Sequence, residues 1–291
     1  MTDEPWTIGN LLRWTKSYLG EHGSDTPRLD AEVLLAKAQG CQRIDLYTTY
    51  DEFASDKTLV TYRELVRRRA IGTPVAYLVG QREFYSREFR VTPDVLIPRP
   101  ETEFVLVALL DLVKQLGEQT IELVDVGTGS GILAICAALH IPDCRVVAID
   151  ISQEAIRIAE SNAVSHQVEK HVQFLKGDLL APLQSGRVFD FIVSNPPYVT
   201  EVEWESLAIN VREHEPRNAL VAGEQGTEVI DRLIEQSTTH LKQGGWLVVE
   251  ISPMLVEKVD ELFADRPEFG PTRIAKDLAG HPRVIMAQCV A

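Results

Sequence analysis

The residues with the most specific chemistry are Val193-Ser194-Asn195-Pro196-Pro197-Tyr198-Val199. They follow a mostly apolar run, Phe189 to Val193, that predicts a buried strand. Two prolines stop that strand, because proline holds φ at about −65° and cannot donate to a sheet ladder. The turn therefore offers carbonyl oxygens and few N–H donors. Asn195 adds a side-chain amide, and Tyr198 adds an aromatic face. Acceptors beside a flat apolar wall suit a planar group bearing an NH2, either a carboxamide or the amino group of a base. Taken alone, the tetrapeptide also reads as an ordinary strand-ending turn, where Asn and Pro are favoured locally. The elements that position it have to decide.

Those elements begin at Ile121–Val126, a predicted strand followed by Gly127-Thr128-Gly129-Ser130-Gly131 and an apolar helix from Ile132 to Leu139. Strand, glycine loop and helix open an α/β nucleotide-binding unit. The next strand, Arg145 to Ile149, ends in Asp150, whose carboxylate can accept both ribose hydroxyls of an adenosine. NAD enzymes share a glycine loop and an acid. Here the glycines read G-x-G-x-G, a spacing more typical of S-adenosylmethionine enzymes, whose ligand has no pyrophosphate for the helix N-terminus. A helix from Gln153 to Ser165 and a strand from Val172 to Leu175 lead to Asp178 and Leu179, placed to hold an adenine edge and face. Four strand ends then meet at the carboxyl edge of one sheet, where open α/β sheets bind ligands. The loop Glu213 to Gly226 walls the substrate side. The remainder predicts a helix over Thr227–Leu241, a strand over Trp246–Ile251 after Gly244-Gly245, a helix over Met254–Phe263 and a last strand over Arg283–Val290.

Upstream, residues 1–75 predict a bundle of three or four short helices, read as a partner-recognition domain. Ile8, Leu11, Leu12, Thr15, Tyr18 and Leu19 share a face, with Trp14 at its edge. Arg67-Arg68-Arg69 closes a helix from Asp56 to Ala70, where cations suit the helix dipole. Residues 76–95 predict a β-hairpin linker, with Phe84, Tyr85, Phe89 and Val91 around a polar centre. Residues 96–291 are expected to form the α/β domain that carries the glycine loop and the Asn-Pro-Pro-Tyr turn. It opens on Ile97-Pro98-Arg99-Pro100-Glu101-Thr102-Glu103, read as a stiff lid with Arg99 and Glu101 over the cofactor pocket and a helix through Leu116.

Composition excludes several classes. The 291 residues carry a formal net charge of −14, which argues against a broad nucleic-acid face. No run approaches the roughly 18 apolar residues of a membrane span, and Met1-Thr2-Asp3-Glu4 lacks a secretory pattern. The four cysteines form no C-x-x-C pair and the histidines no H-E-x-x-H, so no metal is expected and the thiols should be reduced, in the cytoplasm. His214 is read as a solvated loop residue.

Together Asn195-Pro196-Pro197-Tyr198, the Gly127–Gly131 loop after Asp125, and Ile97–Glu103 resemble the protein-(glutamine-N5) methyltransferase family, in its release-factor branch. Glu215-Pro216, Ala219-Leu220, Gly223, Asp277, Ala279-Gly280 and Arg283 follow the same pattern. Two departures are Ser252-Pro253-Met254 after Glu250 and Leu179, where some members carry an aromatic residue. The resemblance implies a Rossmann-like class I methyltransferase sheet with a small N-terminal helical bundle and a hairpin linker. It implies S-adenosyl-L-methionine as cofactor, S-adenosyl-L-homocysteine as product, and class I peptide chain release factors as protein substrate, methylated on the glutamine of a Gly-Gly-Gln motif. A monomer is expected. Asn195, Pro196 and Tyr198 are expected to act on the substrate, with Pro197 beside them. Gly127, Thr128, Gly129, Ser130, Gly131, Asp150, Asp178, Leu179 and Asn195 are expected at the cofactor. The rivals are an adenine amino-methyltransferase, which would need a basic groove for a flipped base, a ribosomal-protein glutamine methyltransferase, and a non-catalytic nucleotide-fold module.

Overall fold

A computed structural model describes residues 6–117 and 120–291. The targeting-segment reading of Met1–Glu4 lies outside them. The chain divides into two compact units, Met1–Gln81 with Ala208–His214, and Arg82–Leu207 with Glu215–Ala291.

The first unit contains α1 (Ile8–Glu21), α2 (Pro27–Gln39), α3 (Asp45–Thr48), α4 (Asp56–Ala70) and α5 (Val75–Val79). Thr7 and Ser55 start α1 and α4 by accepting from the backbone N–H three residues on, which satisfies otherwise orphaned donors. Ile8, Leu11, Leu12, Leu19, Leu34, Leu35, Tyr62 and Leu65 form the core. The helical unit therefore reaches further than residue 75: α5 occupies the start of the segment expected as linker, and its Leu78 is buried in this core. Arg69 is a structural cation. Its Nε donates to Asp30 at 2.6 Å, and Asp30 also accepts from Ser24 and Thr26.

In the second unit β1 (Gln81–Phe84) and β2 (Arg87–Arg90) form the expected hairpin, with Phe84 and Phe89 buried in the large core. Its two-residue turn places both Tyr85 and Ser86 at positive φ, the twist that suits a tight hairpin. A 3-10 turn, Pro100–Thr102, leads into α6 (Glu103–Leu116). Then follow β3 (Ile121–Val126), α7 (Ile132–His140), β4 (Cys144–Asp150), α8 (Gln153–Ser165), β5 (Val172–Lys176) and β6 (Phe189–Ser194). The segment after β6 holds β7 (Val199–Thr200), α9 (Glu201–Ser206) and β8 (Val221–Gly223), with α10 (Ile209–Arg212), between α9 and β8, belonging to the first unit. Last come α11 (Glu228–Ser237), β9 (Leu241–Glu250), α12 (Val256–Ala264), β10 (Arg273–Lys276) and β11 (Pro282–Gln288).

Seven strands make one sheet in the order β10-β11-β9-β6-β3-β4-β5. From β9 to β5 the strands are parallel, and β11 and β10 add antiparallel pairs at one side. Parallel strands buried on both faces need near-continuous apolar runs, and these have them. Alternate side chains enter opposite layers. Leu123, Val146, Phe191 and Val248 pack with α6 and α7, whereas Val124, Val147, Ile192 and Val249 pack with α11 and α12. The chain runs outward from β3 in both directions, so β3 and β6 flank the point where strand order reverses.

Four readings change. The helix expected to run to Leu241 ends at Ser237, and β9 begins at Leu241, passing Gly244-Gly245 as an irregularity against Phe189–Phe191. β10 is an additional edge strand. The Glu213–Gly226 segment holds a 3-10 turn and β8, which pairs with β7 directly after the Asn-Pro-Pro-Tyr turn. Finally, Met254 lies in a 3-10 turn and α12 starts at Val256.

Candidate functional site

A cavity of about 420 Å³ opens along the carboxyl edge of the sheet, within the second unit. That is inside the usual range for small-molecule sites. Gly127, Thr128, Gly129 and Ser130 line it from β3, Asp150 from β4, Asp178 and Leu179 beyond β5, and Asn195 and Pro197 from β6. Most of the expected site residues are thus brought together.

The glycine loop is held by its own acid. Asp125 Oδ2 accepts from Thr128 Oγ1 at 2.7 Å and from Ala134 N at 3.0 Å. Burial pushes the Asp125 carboxyl up to about 7, against the pull of those two hydrogen bonds. Its Oδ1 is buried without a partner among the described residues. Asp150 accepts from Gly129 N and Ser152 N, each at 2.9 Å, and burial raises its pKa although both hydrogen bonds oppose this. Asn162 braces the loop from behind. Its amide donates to Ser130 O and Arg90 O, and its Oδ1 accepts from Arg90 N, tying the hairpin to α8. An adenosine fits this set: a half-buried carboxylate for a diol, backbone glycines for close approach, and apolar walls from Ile151 and Leu179.

Three expected residues stand apart from the cavity lining. Gly131 serves packing: it has φ +85°, and a Cβ there would meet Ile135 Cδ1 at 2.9 Å and Ala159 Cβ at 3.1 Å, where α7 and α8 touch. Pro196 is buried and does not line the cavity. The ring of Tyr198 packs against the α11–α12 side of the core, and its hydroxyl donates to Glu250 Oε1 at 3.3 Å. Asp178 is engaged by Arg232 of α11, which also lines the cavity. Leu179 holds φ +51°, a left-handed conformation rare outside glycine, at the cavity wall.

Asn195 is the polar group at the centre. Its Nδ2 donates to Thr102 Oγ1 at 3.0 Å, and Thr102 is fully buried. The amide is therefore oriented, and Oδ1 is the atom left to accept from a ligand. The lid expectation holds for Arg99, which lines the cavity and donates from Nη2 to Glu215 Oε1 at 2.6 Å. Glu215 also accepts from Ile97 N at 3.2 Å, so one buried carboxylate fastens residues 97–99. Glu101 instead lies 3.9 Å from Arg283. In the sequence Thr102 has a place in the Ile97–Glu103 motif and Glu250 a place in the Trp246–Ile251 strand, with no role in the site assigned to either. The available signal was a carboxylate closing an otherwise apolar strand, Trp246–Glu250.

Among the described residues no cluster could hold a metal ion, and no helix is long and apolar enough to cross a membrane.

Comparison with known proteins gives consistent results. The profile of the PrmC N-terminal domain matches residues 10–80, and that of the methyltransferase small domain matches residues 107–221. A release factor glutamine methyltransferase of Rhodopirellula baltica is 45% identical over 288 residues, covering 98% of this chain and 97% of the relative. The protein of that name from Bacillus subtilis is 38% identical, covering 97% of each. Among solved structures, the catalytic domain of hMettl16 in complex with MAT2A 3′UTR hairpin 6 superposes with a TM-score of 0.57 at 15% identity, covering 78% of this chain and 82% of that one. That likeness shows the methyltransferase fold alone.

Proposed function

The chain belongs to the release factor glutamine methyltransferase family, and from that premise we propose that it methylates the side-chain amide nitrogen of the Gly-Gly-Gln glutamine in class I release factors, with S-adenosyl-L-methionine as donor, in the cytoplasm. The single observation that carries the reading is the oriented Asn195, with Nδ2 committed to Thr102 and Oδ1 free beside the glycine-loop cavity.

A carboxamide nitrogen is a poor nucleophile, because its lone pair is delocalised into the carbonyl. It is also too weakly acidic for an ordinary side-chain base. In this reading Asn195 Oδ1 accepts one N–H of the substrate amide and the Pro196 carbonyl accepts the other. Both raise electron density on nitrogen and hold it in line with the methyl group, and Tyr198, packed against the core beyond the cavity lining, steadies the turn that presents these acceptors to the amide plane. When bound, the donor supplies an electrophilic sulfonium methyl and leaves as S-adenosyl-L-homocysteine. The methyl group would pass to the amide nitrogen at the expense of its bond to sulfur, and the proton the amide gives up would pass to water, since Asn195 and Pro196 offer only neutral carbonyl acceptors. Catalysis is then chiefly positioning and electrostatics. Asp150 would hold the donor ribose, and Gly127–Ser130 would pass close to its backbone. The helical unit is read as the part that recognises the protein substrate.

The test is kinetic. Asn195→Ala should lower kcat by about 100-fold or more while leaving the donor Kd within about threefold. Turnover close to wild type would refute the role of Asn195.

A further inference from the structure

Glu250 is only 2% exposed, at the carboxyl end of β9, and no step above uses it. The Tyr198 hydroxyl donates to its carboxylate at 3.3 Å, and the fully buried Thr102 hydroxyl also favours its charged form. Oε1 accepts from Tyr198, and Oε2 is buried with no hydrogen-bond partner among the described residues. Thr102 in turn accepts from Asn195. A hydroxyl has one hydrogen and two lone pairs. If the Thr102 hydrogen points to a carboxylate, which only accepts, its lone pairs are left for the Asn195 NH2. If Thr102 donated to Asn195 instead, the amide would turn over and offer an NH2 to the cavity. Two NH2 groups would then face each other, and the substrate amide would be repelled.

We propose that Glu250 is a positioning residue for methyl transfer: through Thr102 it fixes which end of the Asn195 amide faces the substrate, and through the hydroxyl of Tyr198 it fixes the ring beside it. This rests on the family reading of the site. The charged form of Glu250 does this, because a protonated carboxyl offers a donor to the same hydroxyls. Burial is the largest influence on Glu250 and pushes it up to about 7, Thr102 and Tyr198 oppose this, Glu101 adds to it and Arg283 opposes it. The charges of Arg99 and Arg283 also reach Tyr198, where both work against the rise that burial and Glu250 cause. The active arrangement is therefore present above about pH 7 and lost as the pH falls below it.

The experiment compares the full chain with Glu250→Gln and Tyr198→Phe, using a release factor and S-adenosyl-L-methionine, with donor affinity measured by calorimetry. Glu250→Gln should lower kcat about 100-fold with donor Kd within about threefold, as expected when a reacting group is misplaced by about an ångström. Tyr198→Phe, which keeps the ring and removes only the hydroxyl, should lower kcat about tenfold. Wild-type kcat should rise with pH through an inflection near 7 that Glu250→Gln lacks. Independently of turnover, the infrared absorption of protonated carboxyls that titrates in this range, to which the buried Asp125 also contributes, should lose the Glu250 component in Glu250→Gln and keep the Asp125 component. An unchanged pH profile, with kcat of both variants within about twofold of wild type, overturns the proposal and leaves the family reading intact. A wild-type enzyme that binds the donor but does not methylate the glutamine overturns both.

Discussion

On the proposed reading Asn195 and Asp150 divide the work of the site. Asn195 is oriented by a fully buried threonine, so its loss should appear in turnover. Asp150 lines the cavity and is held by backbone N–H groups, among them Gly129 N and Ser152 N, so on the proposed reading its carboxylate meets the ligand. Asp150→Ala removes charge-assisted bonds to a ribose diol worth about 1.5–3 kcal/mol each. The donor Kd should therefore rise by about 10–100-fold, with kcat at saturation within about threefold of wild type. Calorimetry with steady-state kinetics checks this, and an unchanged Kd would move the ribose elsewhere. The sequence made these two residues visible because each sits at a strand end beside a recognisable turn. It hid Thr102 and Glu250, because their meaning lies in contacts across 93 and 52 residues of chain, Asn195 to Thr102 and Tyr198 to Glu250.

The turn after β6 is supported by its neighbours. Thr200 caps α9 with Glu203 in a reciprocal capping box, so the chain leaves Tyr198 in a fixed direction. Gly226 closes over it with φ +80°, and a Cβ there would lie 2.7 Å from the Tyr198 carbonyl oxygen. Gly226→Ala should cost about 1–3 kcal/mol in denaturant unfolding. A variant as stable as wild type would mean the β8–α11 turn relaxes freely. Apolar, β-branched runs made the parallel strands legible, since only a doubly buried strand needs them. β10 was not legible, because Arg273-Ile274-Ala275-Lys276 is a short charged edge whose pairing depends on β11. The α9–β8 segment was opaque for a related reason: its two-residue β7 exists only by pairing with β8. In the helical unit, Arg69 could be taken for surface charge until Asp30 was found buried beneath it. Arg69→Ala should destabilise by about 3–5 kcal/mol, the cost of leaving a buried charge uncompensated. Thermal or denaturant unfolding tests this, and a loss under 1 kcal/mol would return Arg69 to the surface.

Over the entire chain, two buried carboxyls set an unusual pH dependence. Asp125 and Glu250 both titrate near 7 in the fold, against ordinary values of 3.8 and 4.5. Between those limits the folded state holds protons that the unfolded chain has released. Each group therefore favours folding fully below its unfolded pKa, and that contribution fades as pH rises towards 7. The slope is at most about 1.4 kcal/mol per pH unit per group. Stability should fall from pH 5 to 7 and level above it, and Asp125→Asn should flatten that fall. A rise across the window would contradict the assignment. Opposite in sign, Glu32 is held at about 2: burial works against this, but Tyr47, Arg43 and Arg28 outweigh it. Its contribution is present above 4.5 and lost as pH falls towards 2.

The acidic chain, the oriented Asn195 and the family relationship converge on a protein amide as the methyl acceptor. The most direct measurement offers labelled S-adenosyl-L-methionine with a class I release factor, a ribosomal protein and DNA in separate reactions, then maps the label by mass spectrometry. The account predicts one methyl group on the side-chain nitrogen of the Gly-Gly-Gln glutamine, and none when that glutamine is replaced. Label on DNA, on the ribosomal protein, or on any other release-factor residue would contradict it.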